Sequence, residues 1–286
     1  MKIRACITEK KDHDIILWHY TTPEVLWKML SGEFYATHYR FMNDSAEIIY
    51  GIQEFKHFFD REKGLDSFRL MVKYLQMIDF FLLCFSEFSD SLYHWRSYAP
   101  KGGFSIGFSH NEMCDIFNNI EYDLQDKIQL HYDLVKCQYL SEDEIDGFMR
   151  ETTGKIQKAI QVTSSKYKIP VDQSTYVANL FKSLNNIYNM FAEILSHCPA
   201  FKTPSFAVEQ EYRLVISGGD LRTQIEFIGN KPRIKIPTPE LLKCIKGVYV
   251  SPHGDVEQNY LLAEIAKERF GLDFEIHRSQ STFNGK

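Results

Sequence analysis

The chain has 286 residues, 44% hydrophobic and 25% charged, which is the composition of an ordinary globular protein. Its formal net charge of −5 excludes the strong positive field on which non-specific nucleic-acid binding depends. Its six cysteines are far apart and form no CxxC pair. We therefore expect reduced, buried thiols and a cytoplasmic protein, with neither a disulfide framework nor a structural zinc site.

Apolar segments long enough for targeting or membrane insertion are missing from the sequence. Residues 1–12 are interrupted by charges and offer no stretch of signal-peptide length. The longest apolar run, around residues 80–85, is far too short to span a bilayer. These features favour a soluble, cytoplasmic protein without a membrane partner.

The N-terminal third predicts alternating strands and helices. Residues 15–20 and 34–37 have the composition of short strands. A helix starting at Pro23 and ending at Gly32 follows the first strand, because proline is favoured at the first helical position. A second helix, running to about residue 61, follows the second strand. Its capping side chains would be those of Asn43, Asp44 and Glu47.

The middle of the chain predicts two strands joined by an aromatic segment. Residues 65–79 have helical apolar spacing, and residues 80–86 form the continuous apolar run of a buried central strand. Residues 89–101 are rich in aromatic side chains and fit a loop or a short helix. After two glycines, residues 104–108 alternate as a strand does.

The second half predicts a helical insertion within a sheet. Residues 130–140 read as a strand, and two long helices at 141–168 and 173–197 would form an insertion at 141–198. The sequence thus predicts a single globular domain over residues 1–286, with an α+β fold and a mixed sheet. The later strands, one helix and a last strand fall at about 211–216, 224–229, 233–236, 245–250, 255–270 and 273–278.

Three charges alternate along the strand that is predicted near residue 209. Glu209, Glu211 and Arg213 are two residues apart, so one face of a pleated strand would carry all three. Two carboxylates this close can share a substrate or perturb each other's proton affinity. Alternatively, Arg213 neutralises Glu211 in a structural salt bridge at a sheet edge. The spacing alone supports both interpretations.

Aromatic side chains accompany the other polar candidates. His19 could hydrogen-bond a ribose hydroxyl and Tyr20 could stack on a heterocycle, or His19 could be a satisfied core histidine. Trp95, Arg96 and Tyr98 could line a stacking pocket or pack a loop over the core. We favour packing for Trp95.

The motifs of P-loop enzymes, zinc proteases and α/β-hydrolases do not occur, which disfavours these three classes. Two other functions are open. One is a nucleotide-sensing module without catalysis, in which the helices at 141–197 transmit ligand occupancy to a partner. The other is a metal-dependent phosphodiesterase or nuclease, in which Lys202 holds a phosphate and carboxylates bind Mg²⁺ or Mn²⁺. The metal ligands would be Asp44, Glu47, Glu209 and Glu211.

Several segments together resemble a bacterial family, the domain of unknown function 2971. The resemblance spans nearly the whole chain in family order, but it implies no particular reaction. The matching segments are 17–21, 43–47, 84–86, 95–99, 103–108 and 201–213, followed by the closing strand, helix and strand.

A second resemblance, to the ADP-ribosyltransferase superfamily, concerns the chemistry. It rests on a His-Tyr-Thr strand, a helix ending at glycine, a central strand and a Glu-x-Glu strand, at residues 19–21, 32, 80–86 and 209–211. It implies a split sheet and an enzyme that cleaves NAD, as a substrate, without a metal ion. ADP-ribose would pass to an acceptor, a protein or a nucleic acid, that the resemblance does not identify.

That resemblance also implies roles for individual residues. Glu211 would be the catalytic acid that stabilises an oxocarbenium-like transition state, and Glu209 would orient or deprotonate the acceptor. His19 would hold a ribose hydroxyl of NAD, while Tyr20 or Tyr98 would stack on the nicotinamide. The other residues assigned to NAD binding are Thr21, Ser86, Arg213 and Lys202.

Overall fold

The computed structural model describes residues 10–42, 79–119, 130–151, 198–218 and 221–281, together with residue 154 and several positions between 50 and 61. The backbone forms two compact units. Unit 1 comprises Met1–Ala5, Ala46–Ile78 and Gln138–Ser205. Unit 2 comprises Cys6–Ser45, Asp79–Cys137 and Phe206–Lys286.

The described residues form both strands and helices, as an α+β fold requires. The strands are β1 Ile16–Thr21, β2 Phe34–His38, β3 Phe81–Ser86, β4 Phe104–Ser109, β5 Leu130–Lys136, β6 Gln138–Tyr139, β7 Phe201–Lys202, β8 Glu211–Gly218, β9 Glu226–Ile228, β10 Lys231–Ile236, β11 Ile245–Val250 and β12 Glu275–Arg278. The α-helices are α1 Pro23–Leu30, α2 Leu92–Tyr98, α3 His110–Asn119, α4 at 142–151 and α5 Val256–Phe270. Short 3-10 helices lie at Tyr39–Phe41, Cys198–Ala200, Pro204–Glu209, Leu221–Gln224 and Pro239–Cys244.

The large sheet of unit 2 consists of two halves that meet between β1 and β3. One half has the order β12-β11-β4-β1, and the other has the order β9-β10-β2-β3-β8-β5. β1 pairs with β4 along its whole length, and β3 pairs with β8 along its whole length. Between β1 and β3 the described ladder contains one residue pair, Trp18 with Ser86. All pairs in this sheet are antiparallel except that of β11 with β12.

The hydrophobic core of unit 2 lies on one face of this sheet. Alternate residues of the strands point into it, as the period of two in a pleated strand requires. The register pairs Leu83 with Leu214 and Phe85 with Tyr212, so β3 and β8 present the same face to the core. Helices α1, α3 and α5 add buried apolar side chains to the cluster: Leu26, Met29, Leu30, Met113, Cys114, Phe117, Ala263 and Ala266.

These observations confirm the predicted α+β class with a mixed, split sheet and flanking helices. The described positions between 50 and 61 are helical, as predicted. Most of the predicted helical insertion at 141–198, the helix at 65–79 and the capping residues at 43–47 lie outside the described residues. The single globular domain stays a prediction.

One prediction of local structure was wrong, and one helix was not predicted. The predicted strand at 130–140 is interrupted at Cys137, after which β6 pairs with β7 in a separate two-stranded parallel sheet of unit 1. Helix α3 was missed because its sequence is polar at the start. Its first turn is stabilised by Ser109, whose hydroxyl accepts a hydrogen bond from the backbone N–H of Glu112.

Within the parts of the chain that the structure describes, no helix combines the length and the apolar character that crossing a bilayer requires.

Candidate functional site

In the described residues β1 and β3 share only the ladder pair of Trp18 with Ser86, and we call the gap beside this pair the opening of the sheet. His19 of β1 lies in this opening. Its Nδ1 is 2.8 Å from the backbone carbonyl oxygen of Cys84, in the middle of β3. A carbonyl oxygen can only accept a hydrogen bond, so Nδ1 carries the proton and Nε2 has a lone pair in the neutral ring. The imidazole thus takes the place of a neighbouring strand, whose backbone N–H would otherwise donate to the Cys84 carbonyl. His19 is half-buried, so solvent still reaches part of it.

The environment of His19 favours the neutral imidazole. Burial lowers its pKa, the hydrogen bond to Cys84 opposes this, and the charge of Arg233 lowers the pKa further. His19 is therefore mostly neutral at pH 7. In this state its Nε2 is available as a hydrogen-bond acceptor.

Glu211 and Arg213 form a buried ion pair at the start of β8. Nε of Arg213 donates to Oε1 of Glu211 at 2.9 Å, and a terminal nitrogen of Arg213 donates to Oε2 at 2.9 Å. The exposed fractions of the two residues are 6% and 3%. The structure thus has the salt bridge of the structural interpretation, although β8 is flanked by β3 and β5 rather than being a sheet edge. A freely accessible Glu211 carboxylate is not what the structure shows.

Two thiols belong to the same buried environment as this ion pair. Burial and the nearby Glu211 carboxylate raise the pKa of the Cys84 thiol well above its usual value. Burial would lower the pKa of the Arg213 guanidinium, but Cys137 and Glu211 raise it well above its usual value. The guanidinium therefore keeps its charge, and the Cys84 thiol stays protonated at neutral pH.

Glu209 is not on the strand, which corrects the prediction of three alternating charges on one face. It ends the 3-10 helix Pro204–Glu209, and Gln210, with a φ of 41°, interrupts the extended backbone before β8 starts. The carboxylate of Glu209 accepts a hydrogen bond from the hydroxyl of Tyr93 at 2.9 Å. Glu209 is 3% exposed, so its carboxylate is held inside the protein.

Tyr20 is a packing residue in this structure and not a free stacking platform. Its hydroxyl donates to the carbonyl of Phe88 at 2.8 Å and accepts from the N–H of Ser91 at 2.9 Å. Its ring stacks on His94 with a centroid distance of 4.8 Å. Tyr98 also stacks on His94, at 6.0 Å, but it is 37% exposed. Of the two tyrosines, Tyr98 is the one whose ring can meet a ligand.

Trp95 is fully buried against Tyr20 and Ala99, which confirms the prediction that it packs. Its indole N–H donates to the carboxylate of Asp90 at 2.6 Å. The same carboxylate accepts hydrogen bonds from Ser279 and the backbone N–H groups of residues 280–281. The hydrogen bonds of Asp90 therefore connect the segment after β12 to α2.

Seven of the nine predicted site residues are buried. The hydroxyl of Ser86 is used internally, because it donates to the carbonyl of Glu209 and accepts from the N–H of Phe88. The backbone of Thr21 packs so closely that a Cβ on Gly103 would lie 2.2 Å from the Thr21 carbonyl oxygen. The seven are Tyr20, Thr21, Ser86, Lys202, Glu209, Glu211 and Arg213. His19 and Tyr98 are accessible.

Lys202 belongs to unit 1, whereas the other eight predicted residues belong to unit 2. It lies in β7 and is 2% exposed. Asp44 and Glu47, the other ligands of the hypothetical metal site, lie outside the described residues. Among the residues that are described, no group of three or more His, Cys, Asp or Glu side chains is arranged to hold a metal ion.

Two polar residues with unusual environments were missed in the sequence. Arg233, on β10, has a half-buried guanidinium whose Nε lacks a hydrogen-bond partner within the described part of the chain. Asp133, on β5, is 7% exposed. Neither could have been found from spacing, because both stand in ordinary-looking strand sequences.

Comparison with known proteins gives one match, to a family model that covers part of the chain. Residues 94–214 match the model of the family described as Protein of unknown function (DUF2971). The matched segment includes Tyr98, Glu209, Glu211 and Arg213 but neither His19 nor Arg233. No curated protein and no solved structure matches the chain. The resemblance to this family is thereby supported over the matched residues.

Proposed function

We propose that this chain binds a nucleotide of the NAD class at the opening between β1 and β3 and acts as a nucleotide-sensing module. The observation that carries the proposal is the opening itself, where an imidazole replaces strand-to-strand hydrogen bonding. His19 is poised to accept a hydrogen bond from a ribose hydroxyl through Nε2. The exposed ring of Tyr98 offers a surface on which a heterocycle can stack.

Sensing fits the geometry better than catalysis because the proposed acids are already engaged. Cleavage of the N-glycosidic bond of NAD builds positive charge on the ribose, and a fixed carboxylate must face that charge. Arg213 holds both carboxylate oxygens of Glu211, and Tyr93 donates to Glu209. Neither acid faces solvent in this structure.

The test of binding is a thermal-shift titration with NAD, ADP-ribose and ATP. A ligand at about 100 times its Kd adds about 2.7 kcal/mol to the free energy of unfolding, which raises Tm by roughly 5 °C or more. We expect NAD and ADP-ribose to do so. His19→Asn should abolish the shift with little change in the Tm of the free protein, because an asparagine amide can still donate to Cys84 while Nε2 is lost.

The matched control is His13→Asn, which changes an exposed histidine and should leave the ligand-induced shift intact. The proposal is wrong if millimolar NAD and ADP-ribose leave the Tm of the unmodified protein unchanged. It is also wrong if His19→Asn and His13→Asn respond equally to both ligands.

ADP-ribosyl transfer is the second candidate function, and one observation favours it. β1, which carries His19, and β8, which starts with Glu211, flank the same strand β3. In transfer, the bond between nicotinamide and the ribose breaks, nicotinamide leaves, and the ribose carbon bonds to a nucleophile of a protein or nucleic-acid acceptor. Glu211 would have to turn from Arg213 to the ribose for this chemistry.

Nicotinamide release from NAD, measured by chromatography with and without a cell lysate as the acceptor source, tests the transferase. An active enzyme should lose about 100-fold or more in rate on Glu211→Gln, because one electrostatic contact to the transition state is lost. The exposed Glu275→Gln should keep the full rate. If the unmodified protein binds NAD but releases no nicotinamide, transfer is excluded and sensing remains.

A further inference from the structure

Arg233 is a half-buried cation without a described counter-ion. Its Nε has no hydrogen-bond partner, and it forms no ion pair within the described residues. The nearest acid by register is Glu226, which is paired with Arg233 across β9 and β10. The Glu226 carboxylate instead accepts a hydrogen bond from the hydroxyl of Tyr35 at 3.3 Å.

An unpaired, partly desolvated guanidinium is unfavourable in a folded protein. Removing it from water costs free energy that an opposite charge or hydrogen-bond acceptors must offset. Burial accordingly lowers the pKa of Arg233. The planar guanidinium matches the oxygens of a carboxylate or phosphate, to which it donates two parallel hydrogen bonds. An oxyanion is therefore the ligand that would satisfy Arg233.

Lys231 adds to the positive charge around Arg233, because it lies two residues away on the same face of β10. Burial lowers the pKa of both His19 and Lys231, and the charge of Arg233 lowers both further. By register, Arg233 pairs with Thr37 of β2, and Thr37 pairs with Leu82 of β3. Leu82 is two residues from Cys84, whose carbonyl holds His19. Arg233 thus lies two strands from β3, in the half of the sheet that borders the opening.

We propose that Arg233, with His19 beside it, forms a subsite for a phosphoryl group. In naming the ligand as the pyrophosphate of a nucleotide, the proposal rests on the function proposed above. Arg233 contributes the charge and the paired donors. His19 stays neutral and accepts through Nε2 from a hydroxyl of the ribose that adjoins the phosphoryl group. The nucleoside part of the ligand would then lie along the opening.

The test is isothermal titration calorimetry with inorganic pyrophosphate, ADP-ribose and nicotinamide riboside. Arg233→Met should weaken the binding of pyrophosphate and ADP-ribose at least tenfold and leave nicotinamide riboside unaffected, because the riboside has no phosphate. Arg233→Lys should recover part of the affinity, since it keeps the charge but loses the paired donors. Lys235→Met is the matched control, because it removes an exposed cation two residues along the same strand and should bind like the unmodified protein.

Stability gives a second readout that does not depend on the ligand. Without ligand, the Arg233→Met variant should have a Tm equal to or higher than that of the unmodified protein, because an unpaired charge has been removed. A clearly lower Tm would show that Arg233 has a structural partner and would overturn the subsite.

The subsite and the proposed function can fail separately. If pyrophosphate binds in an Arg233-dependent way and NAD does not bind, the subsite stands and the nucleotide assignment is lost. If NAD binds equally well to the unmodified protein and Arg233→Met, nucleotide binding stands and the subsite is lost. If Lys235→Met weakens pyrophosphate binding as much as Arg233→Met does, the binding reflects non-specific charge attraction. That outcome would also overturn the subsite.

Discussion

Replacing Arg213 by methionine is expected to lower the free energy of unfolding by about 3–5 kcal/mol, because it leaves the buried Glu211 carboxylate without its counter-ion. The guanidinium supplies hydrogen bonds to both carboxylate oxygens, and both residues are almost fully shielded from water. Urea denaturation at pH 7 measures the loss. Arg269→Met, which removes an exposed arginine from α5, should change the free energy by less than about 0.5 kcal/mol.

A second variant separates the ion pair from simple packing. Changing Glu211 and Arg213 together to glutamine and methionine removes both charges, and it should be more stable than Arg213→Met alone. If the double variant is as unstable as the sum of the two single variants, the two side chains do not interact. Arg213 would then stabilise the fold through other contacts.

Replacing Asp133 by asparagine is expected to stabilise the protein at alkaline pH. Burial raises the pKa of the Asp133 carboxyl from an ordinary value of 3.8 to about 7. The folded protein therefore holds this proton more tightly than the unfolded chain, and rising pH costs folding free energy between these two values. Above pH 7 the penalty reaches up to about 4 kcal/mol, and asparagine does not incur it.

Unfolding of both proteins at pH 4 and at pH 8 checks this sign. The gain from Asp133→Asn should be small at pH 4, where the carboxyl is largely protonated in the folded protein, and largest at pH 8. Asp273→Asn changes an exposed aspartate and should show no such dependence. A loss of stability at both pH values would mean that the ionised Asp133 has a favourable partner.

Most of the sheet could be predicted from the sequence because its strands are marked by local patterns. The sequence of β3 is a continuous apolar run, and that of β4 alternates between large and small side chains. Both patterns are local and predict strands. Helix α3 has one local signal, because Ser109 and Glu112 have the spacing of a capping box, but its other cap, the carboxylate of Asp14, accepts from Asn111 across 97 positions of the chain. Contacts between residues far apart in the chain leave no such local signal.

The candidate site shows the same division between local and distant information. The charges at residues 209–213 were visible, but the positive φ of Gln210, which removes Glu209 from the strand, was not. The ion pair of Glu211 with Arg213 was one of two open interpretations of the spacing. Its burial depends on the central position of β8 between β3 and β5, which the sequence does not encode locally.

His19 and Arg233 illustrate what only the tertiary structure reveals. The histidine was proposed as a ligand for a ribose, but its hydrogen bond to Cys84 depends on how the two halves of the sheet meet. Arg233 is 214 positions further along the chain and carries no motif. Its relation to the opening follows from the pairing of β10 with β2 and of β2 with β3.

A crystal structure of the protein with ADP-ribose tests the nucleotide site most directly. We expect the ligand beside the opening between β1 and β3, with its pyrophosphate oxygens hydrogen-bonded to Arg233 and a ribose hydroxyl near Nε2 of His19. An ordered ligand elsewhere on the molecule, or none at a concentration that saturates a millimolar site, would contradict the account.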